Sequence, residues 1–382
     1  MSERGDGVWD VIVIGAGPAG AVAARQCAAG GGSVLLVDRA KFPRHKVCGC
    51  CLNSVALGMF DRVGTGEAVR RAGGATLNYL SLSAGGRRVR LGLPAGLAIS
   101  RAALDVELID QAVSAGARFL PEASATVGEV DAAGRDVTVR THGRDRRLRA
   151  RLIVAATGLA GLDAKDQPDL RRRAGRSARI GCSTILDHAS GYAAGAIHMV
   201  CGRGGYVGLT RLEDGRLNVA AAIDPRGSRA EGGVAPLIAS ILRGAGADLP
   251  VGLGRAEWGG TPRLTGRPRR LAAERLVLIG DAAGYIEPFT GEGMAWAVIS
   301  GVAAAQLIVE SRFDAAPVTC RWPAEYRRRL ATRQRRCHMI AQLLRRPGLT
   351  GWVVRALAAN QGLAAPLIRA IHRPTRLSPT AS

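Results

Sequence analysis

The chain has 382 residues, of which 47% are hydrophobic, so it can bury a large core and is not generally disordered. Its net charge of +22 at pH 7 favours anionic partners such as phosphorylated cofactors or anionic lipid surfaces. Aromatic residues make up only 4% and no common nucleic-acid-binding motif is present, so nucleic acid is not an expected partner.

The start of the chain and its cysteines both favour the cytoplasm. The first ten residues lack a charged segment followed by an apolar one, so no export signal is predicted. Eight cysteines are too few for a disulfide scaffold in a chain of this length, and without export they would stay reduced. Residues 293–309 are shorter than the roughly 20 residues of a membrane span and are predicted to form a buried helix.

The chain opens with a predicted strand–helix–strand unit. Residues 9–15 form a β-branched run typical of a strand that is buried on both faces. Residues 18–29 read as a helix of small residues that ends at Gly30, and residues 33–38 are a second buried strand. This order predicts a parallel β-sheet at the start of the fold.

Gly15-Ala-Gly17-Pro-Ala-Gly20 has the spacing of a dinucleotide-binding turn between a strand and a helix. Gly15 allows the tight turn, Gly17 lets the backbone approach a pyrophosphate, and Gly20 lets helix and strand pack closely. Asp38 ends the second strand, where its carboxylate can accept hydrogen bonds from ribose hydroxyls. Together these residues predict a dinucleotide site.

The middle of the chain mixes strands with one clear helix. Residues 76–93 alternate and turn at "AGGR", which predicts a hairpin. Ser100 can cap a helix that Gly116 ends. From Thr126 the pattern predicts a three-strand meander whose last, buried strand is residues 151–158. The meander would return the chain to the parallel sheet.

The second half begins with more strands and ends with helices. Residues 178–224 are strand-rich, and Asp214-Gly215 between alternating runs predicts a hairpin turn. Leu276–Gly280 reads as another parallel strand, and the arginine-rich chain from about residue 311 reads as helical. Side chains of the strand-rich part that are candidates to line a pocket are His188, Tyr192, His198, Met199 and Tyr206.

Residues 275–301 carry a second cofactor signal. A strand delivers Gly280-Asp281 to a helix start, where the carboxylate suits a polyol such as the ribityl chain of FAD, which NAD lacks. Pro288, Gly291 and Gly293 would let the backbone lie under a flat ring. The N-terminus of the following helix can stabilise negative charge on a reduced flavin. The predicted cofactor is therefore FAD.

The motifs "GAGPAG", "FPRHKVCG", "ISRAALD", "ATG" and "GDAAG…PFTGEGM…SG" follow one another between residues 8 and about 305. This set resembles the geranylgeranyl reductase family, within the fold group of para-hydroxybenzoate hydroxylase and the flavin-dependent halogenases. The resemblance implies an α/β fold, with a Rossmann-like FAD-binding domain, an inserted antiparallel β-sheet substrate domain and a helical C-terminus. The predicted ranges are 1–75, 100–165 and 266–310 for the FAD-binding domain, 76–99 and 166–265 for the substrate domain, and 311–382 for the C-terminal helical region.

The resemblance also implies which residues contact the cofactor. In that family a Pro-Arg-x-Lys-x-Cys-Gly stretch follows the second strand and lies against the flavin. Arg101 resembles an arginine that the family directs at the FAD, and its fixed charge suits the pyrophosphate. The predicted cofactor-binding residues are Gly15, Gly17, Gly20, Asp38, Arg44, Val47, Cys48, Gly49, Arg101, Asp281, Pro288, Gly291, Gly293 and Met294.

The stretch "KVCGCCLN" places three cysteines within four positions. A zinc site would need a second ligand pair at a suitable spacing, which the sequence lacks, so no metal is predicted. By the resemblance Cys48 is a neighbour of the flavin and the candidate catalytic residue; it either takes part in the reaction or fills space. Cys50 and Cys51 are interpreted as packing residues.

The sequence leaves two reactions open. NAD(P)H is the expected electron donor, and it would dock transiently because no second GxGxxG has strand and helix flanks. The reduced flavin then either reduces a C=C bond in a hydrophobic small molecule or lipid, or works with oxygen as a monooxygenase that hydroxylates an aromatic ring. The aromatic element of the family's prenyl pocket is absent, with residues 205–215 in its place, and Thr157 replaces an aspartate of the hydroxylases.

A non-catalytic alternative is a flavin-binding maturation factor.

Residues 351–373 mix apolar residues with arginines, so they either pack into the core or rest on a membrane surface if the substrate is a lipid. The expected location is the cytoplasm, with a peripheral position at the membrane as an option.

Overall fold

The fold is described from a computed structural model, which covers residues 7–162, 167–287, 289 and 291–373. The described strands are β1 (Trp9–Ile14), β2 (Val34–Val37), β3 (Cys51–Leu52), β4 (Ala75–Ala84), β5 (Arg87–Ala98), β6 (Arg118–Leu120), β7 (Ala123–Val130), β8 (Arg135–Thr141), β9 (Arg144–Ala155), β10 (Arg173–Ala174), β11 (Ile180–Leu186), β12 (Ala196–Gly202), β13 (Gly205–Arg211), β14 (Leu217–Ile223), β15 (Gly259–Arg263), β16 (Gly266–Arg267), β17 (Ala272–Ala273) and β18 (Leu276–Leu278). The described α-helices are α1 (Pro18–Ala29), α2 (Ser54–Arg62), α3 (Gly66–Arg71), α4 (Arg101–Ser114), α5 (Pro225–Ala230), α6 (Val234–Gly244), α7 (Gly293–Glu310), α8 (Ala315–Leu343), α9 (Pro347–Ala359) and α10 (Ala365–Ile371).

The first large sheet has a parallel centre. Its strands run β17-β18-β9-β1-β2-β6, and β8 and β7 extend it from the first half of β9. β1 pairs in parallel with β2 and β9, and β18 pairs in parallel with β9. Val11, Ile12 and Val13 are fully buried because both faces of the sheet are covered. The predicted strand–helix–strand unit and the parallel strand after residue 275 are thus confirmed.

Small residues let the helices approach this sheet closely. A Cβ at Gly20 would lie 1.8 Å from the Gly15 carbonyl oxygen, so α1 sits directly on the glycine turn. A Cβ at Gly301 of α7 would lie 2.4 Å from the Ala19 carbonyl oxygen of α1. Larger residues at either glycine would push the helices apart, so the small-residue pattern determines this packing.

The second large sheet runs β15-β11-β14-β13-β12-β4-β5-β3. Its described pairings are antiparallel except for the parallel pair of β12 and β4. One face is covered by α6 through Leu237, Ile238 and Ile241. The other face packs against the C-terminal helices through side chains such as Leu82 and Val354. The predicted antiparallel sheet therefore contains one parallel junction, where the hairpin of β4 and β5 joins the later strands.

Several local predictions are confirmed. Ser100 Oγ accepts a hydrogen bond from the Ala103 backbone N–H at 3.1 Å and caps α4. Gly215, with φ of +86°, lies in the turn that joins β13 to β14. The meander is β7, β8 and β9, but β9 starts at Arg144, earlier than the predicted last strand. β9 is long because its first half pairs with β8 and its second half with β1.

The cysteine-rich segment connects the two sheets. β3 pairs with β5 in the second sheet, although it falls in a range predicted for the FAD-binding domain. Asn218 Nδ2 on β14 donates a hydrogen bond to the Cys48 carbonyl oxygen at 3.1 Å. These contacts hold the segment after residue 45 between the parallel sheet and the second sheet.

The C-terminal region is helical, as predicted. Trp322 of α8 is fully buried, and its indole N–H donates to the Leu278 carbonyl oxygen at 2.9 Å, so α8 packs against the first sheet. α9 packs on β4 and β5 of the second sheet. Within the described residues, α7 is the one helix long and apolar enough to cross a membrane, and it is buried along most of its length.

Candidate active site

A cavity of about 1270 Å³ lies between the two sheets. Drug-sized ligands occupy pockets of roughly 300–1,000 Å³, so this cavity has room for a large cofactor and a second molecule. One half, the cofactor half, is lined by the glycine turn and by charged side chains. The other half, the apolar half, is lined by the second sheet and the C-terminal helices.

The glycine turn forms one end of the cofactor half. Gly15 has φ of +108°, and a Cβ there would lie 2.4 Å from the Ala156 carbonyl oxygen, so only glycine fits. Gly17 precedes α1 without a side-chain cap and lines the cavity. The first N–H groups of α1 can therefore bind an anionic group. Gly20 lies beneath the turn, where it allows α1 to pack closely against Gly15. It does not line the cavity.

Asp38 follows β2 and holds the glycine turn in place. Its Oδ2 accepts a hydrogen bond from the Ala16 N–H at 2.7 Å, and its Oδ1 accepts from the Ala40 N–H at 2.9 Å. The side chain also lines the cavity. Oδ2 retains a further lone pair, which can accept a ribose hydroxyl, whereas Oδ1 also lies 3.4 Å from Arg44 Nη1.

Two arginines beside the turn share a buried carboxylate. Asp105 is fully buried, and it accepts hydrogen bonds from Arg101 Nε at 2.8 Å and Nη2 at 2.7 Å. Arg44 Nη2 lies 3.5 Å from the same carboxylate, and its Nη1 lies 3.4 Å from Asp38. Asp105 has no predicted role, although it is the last residue of the motif "ISRAALD" and lies four residues after Arg101 on α4. Both guanidinium groups line the cavity next to Gly17.

Asp281 follows β18 and lines the cofactor half from the opposite side. The Gly280 N–H donates to Ser300 Oγ at 2.9 Å, which fixes this turn against α7. Burial raises the pKa of Asp281, while the positive charges of Lys46 and Arg101 oppose this rise. Burial in turn lowers the pKa of Lys46.

Two buried polar atoms in the cofactor half lack a partner within the described residues. They are Thr157 Oγ1 and Arg44 Nε, and both side chains line the cavity. A buried polar group without a partner costs free energy, so a ligand that bonds these atoms is favoured. The donor set of helix N–H groups, two guanidinium groups and two carboxylates suits the diphosphate and hydroxyls of FAD. The residues present therefore fit that cofactor.

The predicted ring-side residues meet at the junction of the two halves. Val47, Cys48 and Gly49 line the cavity from one side. Gly291, Gly293 and Met294 line it at the N-terminal end of α7. Pro288 lies outside the described residues. Apart from Gly20 and Pro288, the structure thus brings all the predicted cofactor-binding residues into one cavity wall.

Cys48 lies in a polar environment that favours its thiolate. The Cys50 N–H donates to Cys48 Sγ at 3.3 Å. Hydrogen bonding from the Cys50 thiol lowers the pKa of Cys48, and the positive charge of Arg101 adds to this effect. The pKa of Cys50 is raised by the same hydrogen bond and by burial. Burial raises the pKa of Cys51 to about 12.

The apolar half extends from Cys48 towards the C-terminal helices. Its aliphatic wall includes Leu80, Leu82, Leu91, Ile197, Leu344, Val354, Leu357, Leu363, Leu367 and Ile368. Tyr206 and Phe289 pack edge to face in this wall, with ring centroids 5.2 Å apart. The contribution of α9 and α10 is not apparent from the sequence, since their apolar residues fit equally well in a core or on a membrane. This half suits a long apolar ligand.

Two of the five candidate pocket positions lie in this cavity, namely Met199 and Tyr206. His188 and Tyr192 line a smaller, separate cavity. His198 packs edge to face on Tyr192, with centroids 5.1 Å apart. These three side chains are therefore outside the proposed site.

The loop between β18 and α7 is anchored by two buried ion pairs that the sequence does not reveal. Glu287 is fully buried and bonds Arg179 Nη1 at 3.0 Å. Glu292 is also buried and bonds Arg333 Nη1 of α8 at 3.1 Å. These pairs fix the loop that leads into Gly293 and Met294.

Comparison with known proteins identifies the cofactor and the relatives of the chain. The FAD binding domain family matches residues 8–190. Digeranylgeranylglycerophospholipid reductase 1 of Methanopyrus kandleri is 31% identical over 328 residues, which cover 79% of this chain and 81% of that protein. Menaquinone reductase of Mycobacterium tuberculosis is 29% identical over 349 residues, which cover 82% of this chain and 79% of that protein. The predicted cofactor FAD is confirmed.

Among solved structures, a triple mutant of the flavin-dependent brominase Bmp2 matches with a TM-score of 0.76. It is 18% identical, and the match covers 95% of this chain and 94% of the other. At this identity the likeness shows the fold alone. It confirms the predicted α/β class with a Rossmann-like FAD-binding fold.

Proposed function

The chain belongs to the geranylgeranyl reductase family of FAD-dependent oxidoreductases, and we propose that it reduces a C=C bond in a hydrophobic small molecule or lipid. NAD(P)H is the proposed electron donor. The observation that carries this proposal is the apolar half of the cavity, which adjoins the cofactor half at Cys48. Relatives named for a geranylgeranyl phospholipid and for menaquinone support a long apolar substrate.

We assign the residues of the cofactor half to parts of FAD. The N–H groups at the start of α1, with Arg44 and Arg101, bind the diphosphate. Asp38 accepts hydrogen bonds from the ribose, and Asp281 accepts them from the ribityl chain. The N-terminus of α7, beginning at Gly293, stabilises negative charge at the ring. When bound and reduced, FAD supplies the hydride for the reaction.

Cys48 is the proposed proton donor. Its side chain is in the wall where the two halves meet, so Sγ can reach a substrate carbon beside the ring. Proton transfer from Sγ needs the thiol form of Cys48, and the hydrogen bond from Cys50 lowers the pKa of this thiol to about 6, so product formation should fall as the pH rises through that value. Aliphatic side chains around the substrate limit the access of water, so the proton has to come from a side chain in the cavity wall.

We further propose that the protein works in the cytoplasm, as a peripheral protein at a membrane surface. Trp352, Leu363 and Leu367 are exposed on the C-terminal helices and also line the apolar half. Arg346 and Arg355 are exposed on or beside the same helices. Apolar side chains flanked by arginines are typical of surfaces that insert into anionic lipid. A lipid substrate could then enter the cavity directly from the membrane.

The test is anaerobic turnover of the FAD-loaded protein with NAD(P)H and a geranylgeranylated lipid or a menaquinone. We expect bleaching of the oxidised flavin spectrum by NAD(P)H and a product heavier by two hydrogen atoms per reduced bond. In Cys48→Ala the rate of flavin reduction should be unchanged, while product formation should fall roughly 10²- to 10⁴-fold, the usual contribution of a general acid.

Cys320→Ala is the matched control, because Cys320 is exposed on α8 and away from the cavity wall. A product that instead gains an oxygen atom when air is admitted would identify an aromatic hydroxylase. Unchanged product formation in Cys48→Ala would leave Cys48 as a space-filling neighbour of the flavin.

A further inference from the structure

The segment Cys48-Gly49-Cys50 folds back on itself in the cavity wall. The Cys50 backbone N–H donates to Cys48 Sγ at 3.3 Å, and Cys50 Sγ donates to the Cys48 carbonyl oxygen at 3.8 Å. Gly49 between them has open space on its Cβ side. Both backbone and thiol of Cys50 therefore contact Cys48, and no other side chain separates the two cysteines along the chain.

Cys50 adopts a backbone conformation that favours glycine. Its φ is +56°, in the left-handed region, where a residue with a Cβ is strained. Packing alone does not explain a cysteine here, since glycine would turn the chain without strain. The turn brings Cys50 back onto Cys48, which indicates a role for the thiol itself.

The three neighbouring thiols are not equivalent. Cys48 is the one whose thiolate is favoured, through the hydrogen bond from Cys50 and the charge of Arg101. Cys50 stays protonated and lies against Cys48. Cys51 Sγ donates to the Gly49 carbonyl oxygen at 3.1 Å and lies 3.5 Å from Thr210 Oγ1 on β13. Cys51 therefore bonds to the second sheet, whereas Cys50 bonds to Cys48.

We propose that Cys48 and Cys50 are a modification site at which peroxides convert the two thiols into a reversible disulfide. Cys48 is the thiol that peroxide oxidises, and Cys50 is the thiol that resolves the product. The disulfide removes the proposed proton donor from the reaction and protects it from irreversible oxidation. Only this effect on turnover rests on the function proposed above.

The chemistry balances with hydrogen peroxide as the oxidant. The Cys48 thiolate attacks one peroxide oxygen, the O–O bond breaks, hydroxide leaves, and Cys48 becomes a sulfenic acid. The Cys50 sulfur then attacks the Cys48 sulfur; the S–S bond forms, and the sulfenic oxygen leaves as water with the Cys50 proton. The two thiols lose two electrons, which the peroxide takes up. A thiol reductant reverses the change.

The test uses the full chain loaded with oxidised FAD and treated with hydrogen peroxide, without substrate or NAD(P)H. Free thiols are then alkylated, and the tryptic peptide of residues 47–62 carries all three cysteines of the motif. In the wild type we expect this peptide to lose two hydrogen atoms and to be alkylated at Cys51 alone. Prior reduction with dithiothreitol should restore alkylation at all three.

Cys50→Ser removes the resolving thiol, so Cys48 should advance to sulfinic acid, which dithiothreitol does not reverse. Cys51→Ser is the matched control and should form the disulfide as the wild type does. Wild-type protein in which all three thiols remain alkylated, or in which Cys48 pairs with Cys51, would overturn the proposal. So would sulfinic acid at Cys48 that forms equally fast in the wild type and in Cys50→Ser.

The wild-type peptide decides the pairing by itself, so the proposal stays testable if Cys50→Ser does not fold. Because alkylation is measured without substrate, an error in the proposed reaction does not affect the result. In the assay for product, turnover should fall in proportion to the disulfide formed and return on reduction. If no disulfide forms while turnover is normal, only the proposed redox site is overturned. If the disulfide forms while the protein shows no turnover, only the proposed reaction is overturned.

Discussion

At the scale of single residues, Asp105 determines the position of two cations. It is fully buried, bonds both Nε and Nη2 of Arg101, and lies 3.5 Å from Arg44. The sequence predicts Arg101 at the pyrophosphate and contains Asp105 in the same motif, but it predicts no role for this carboxylate. Because this carboxylate holds both guanidinium groups beside the glycine turn, they are in place before a cofactor binds.

Asp281 is the residue we expect to contribute most clearly to FAD affinity. Its carboxylate is paired with no guanidinium group in the described structure, and it lines the cavity beside Lys46. A hydrogen bond to a charged group contributes roughly 1.5–3 kcal/mol. Asp281→Ala should therefore weaken FAD binding by roughly tenfold to a hundredfold, measured by quenching of flavin fluorescence on titration.

Asp110→Ala is the control for this measurement, since Asp110 is exposed on α4 and does not line the cavity. It should bind FAD as the wild type does. An Asp281→Ala protein with wild-type affinity would remove Asp281 from the assignment of the ribityl contact.

At the scale of elements, the loop between β18 and α7 depends on ion pairs with distant parts of the chain. Glu287 pairs with Arg179, the residue just before β11. Glu292 pairs with Arg333 of α8. Arg345 Nη2 also lies 3.5 Å from Glu287. These contacts join the helical C-terminus to the loop that carries the predicted ring-side residues.

Glu287→Ala should destabilise the fold because it leaves Arg179 buried without its carboxylate. Removing one partner of a buried ion pair costs roughly 3–5 kcal/mol. We expect a clear fall in the denaturant midpoint of unfolding, measured by circular dichroism. Replacing both residues with apolar ones, as in Arg179→Met with Glu287→Leu, should recover part of the loss.

The matched control is Glu310→Ala. Glu310 and Arg321 are exposed and 3.9 Å apart, so their pair contributes at most about 1 kcal/mol. If Glu287→Ala unfolded at the same denaturant concentration as Glu310→Ala, the loop would not depend on its buried ion pair.

At the scale of the whole molecule, the C-terminal helices close the apolar half and expose apolar side chains at its edge. Trp352 is 64% exposed and Leu363 is 58% exposed, and both line the cavity. The protein that carries this edge is strongly basic, with a net charge of +22. An anionic membrane would therefore attract the protein by charge and hold it by apolar contact.

Trp352→Ser should weaken binding to vesicles that contain phosphatidylglycerol. Transfer of a large apolar side chain contributes roughly 1.5–3 kcal/mol, so the partition coefficient should fall about tenfold or more. Wild-type binding should also weaken with added salt and be much poorer on vesicles of phosphatidylcholine alone. Co-sedimentation with vesicles measures each of these effects.

Val251→Ser is the control, because Val251 is 61% exposed but does not line the cavity. It should bind vesicles as the wild type does. Equal loss of binding in both variants, or strong binding to neutral vesicles, would place the membrane contact elsewhere.

Much of the fold follows from local patterns that act over short distances. The glycine turn, the buried strands and the Ser100 cap depend on neighbouring residues, so the sequence predicts each of them correctly. The pairing of β3 with β5 and the parallel pair of β12 and β4 join residues far apart in the chain. Backbone hydrogen bonds can form between any two strands, whatever their side chains are. These pairings are therefore not predictable from local patterns.

By itself, the sequence determined the FAD-binding turn, the strand and helix types and the family, because glycine spacing and apolar periodicity are local constraints on the backbone. Only the tertiary structure decided which side chains meet. It brought Asp105 to Arg101 and Arg44, Cys50 onto Cys48, and α9 and α10 over the apolar half of the cavity. Such contacts depend on how whole sheets and helices pack, and that packing is a property of the complete chain.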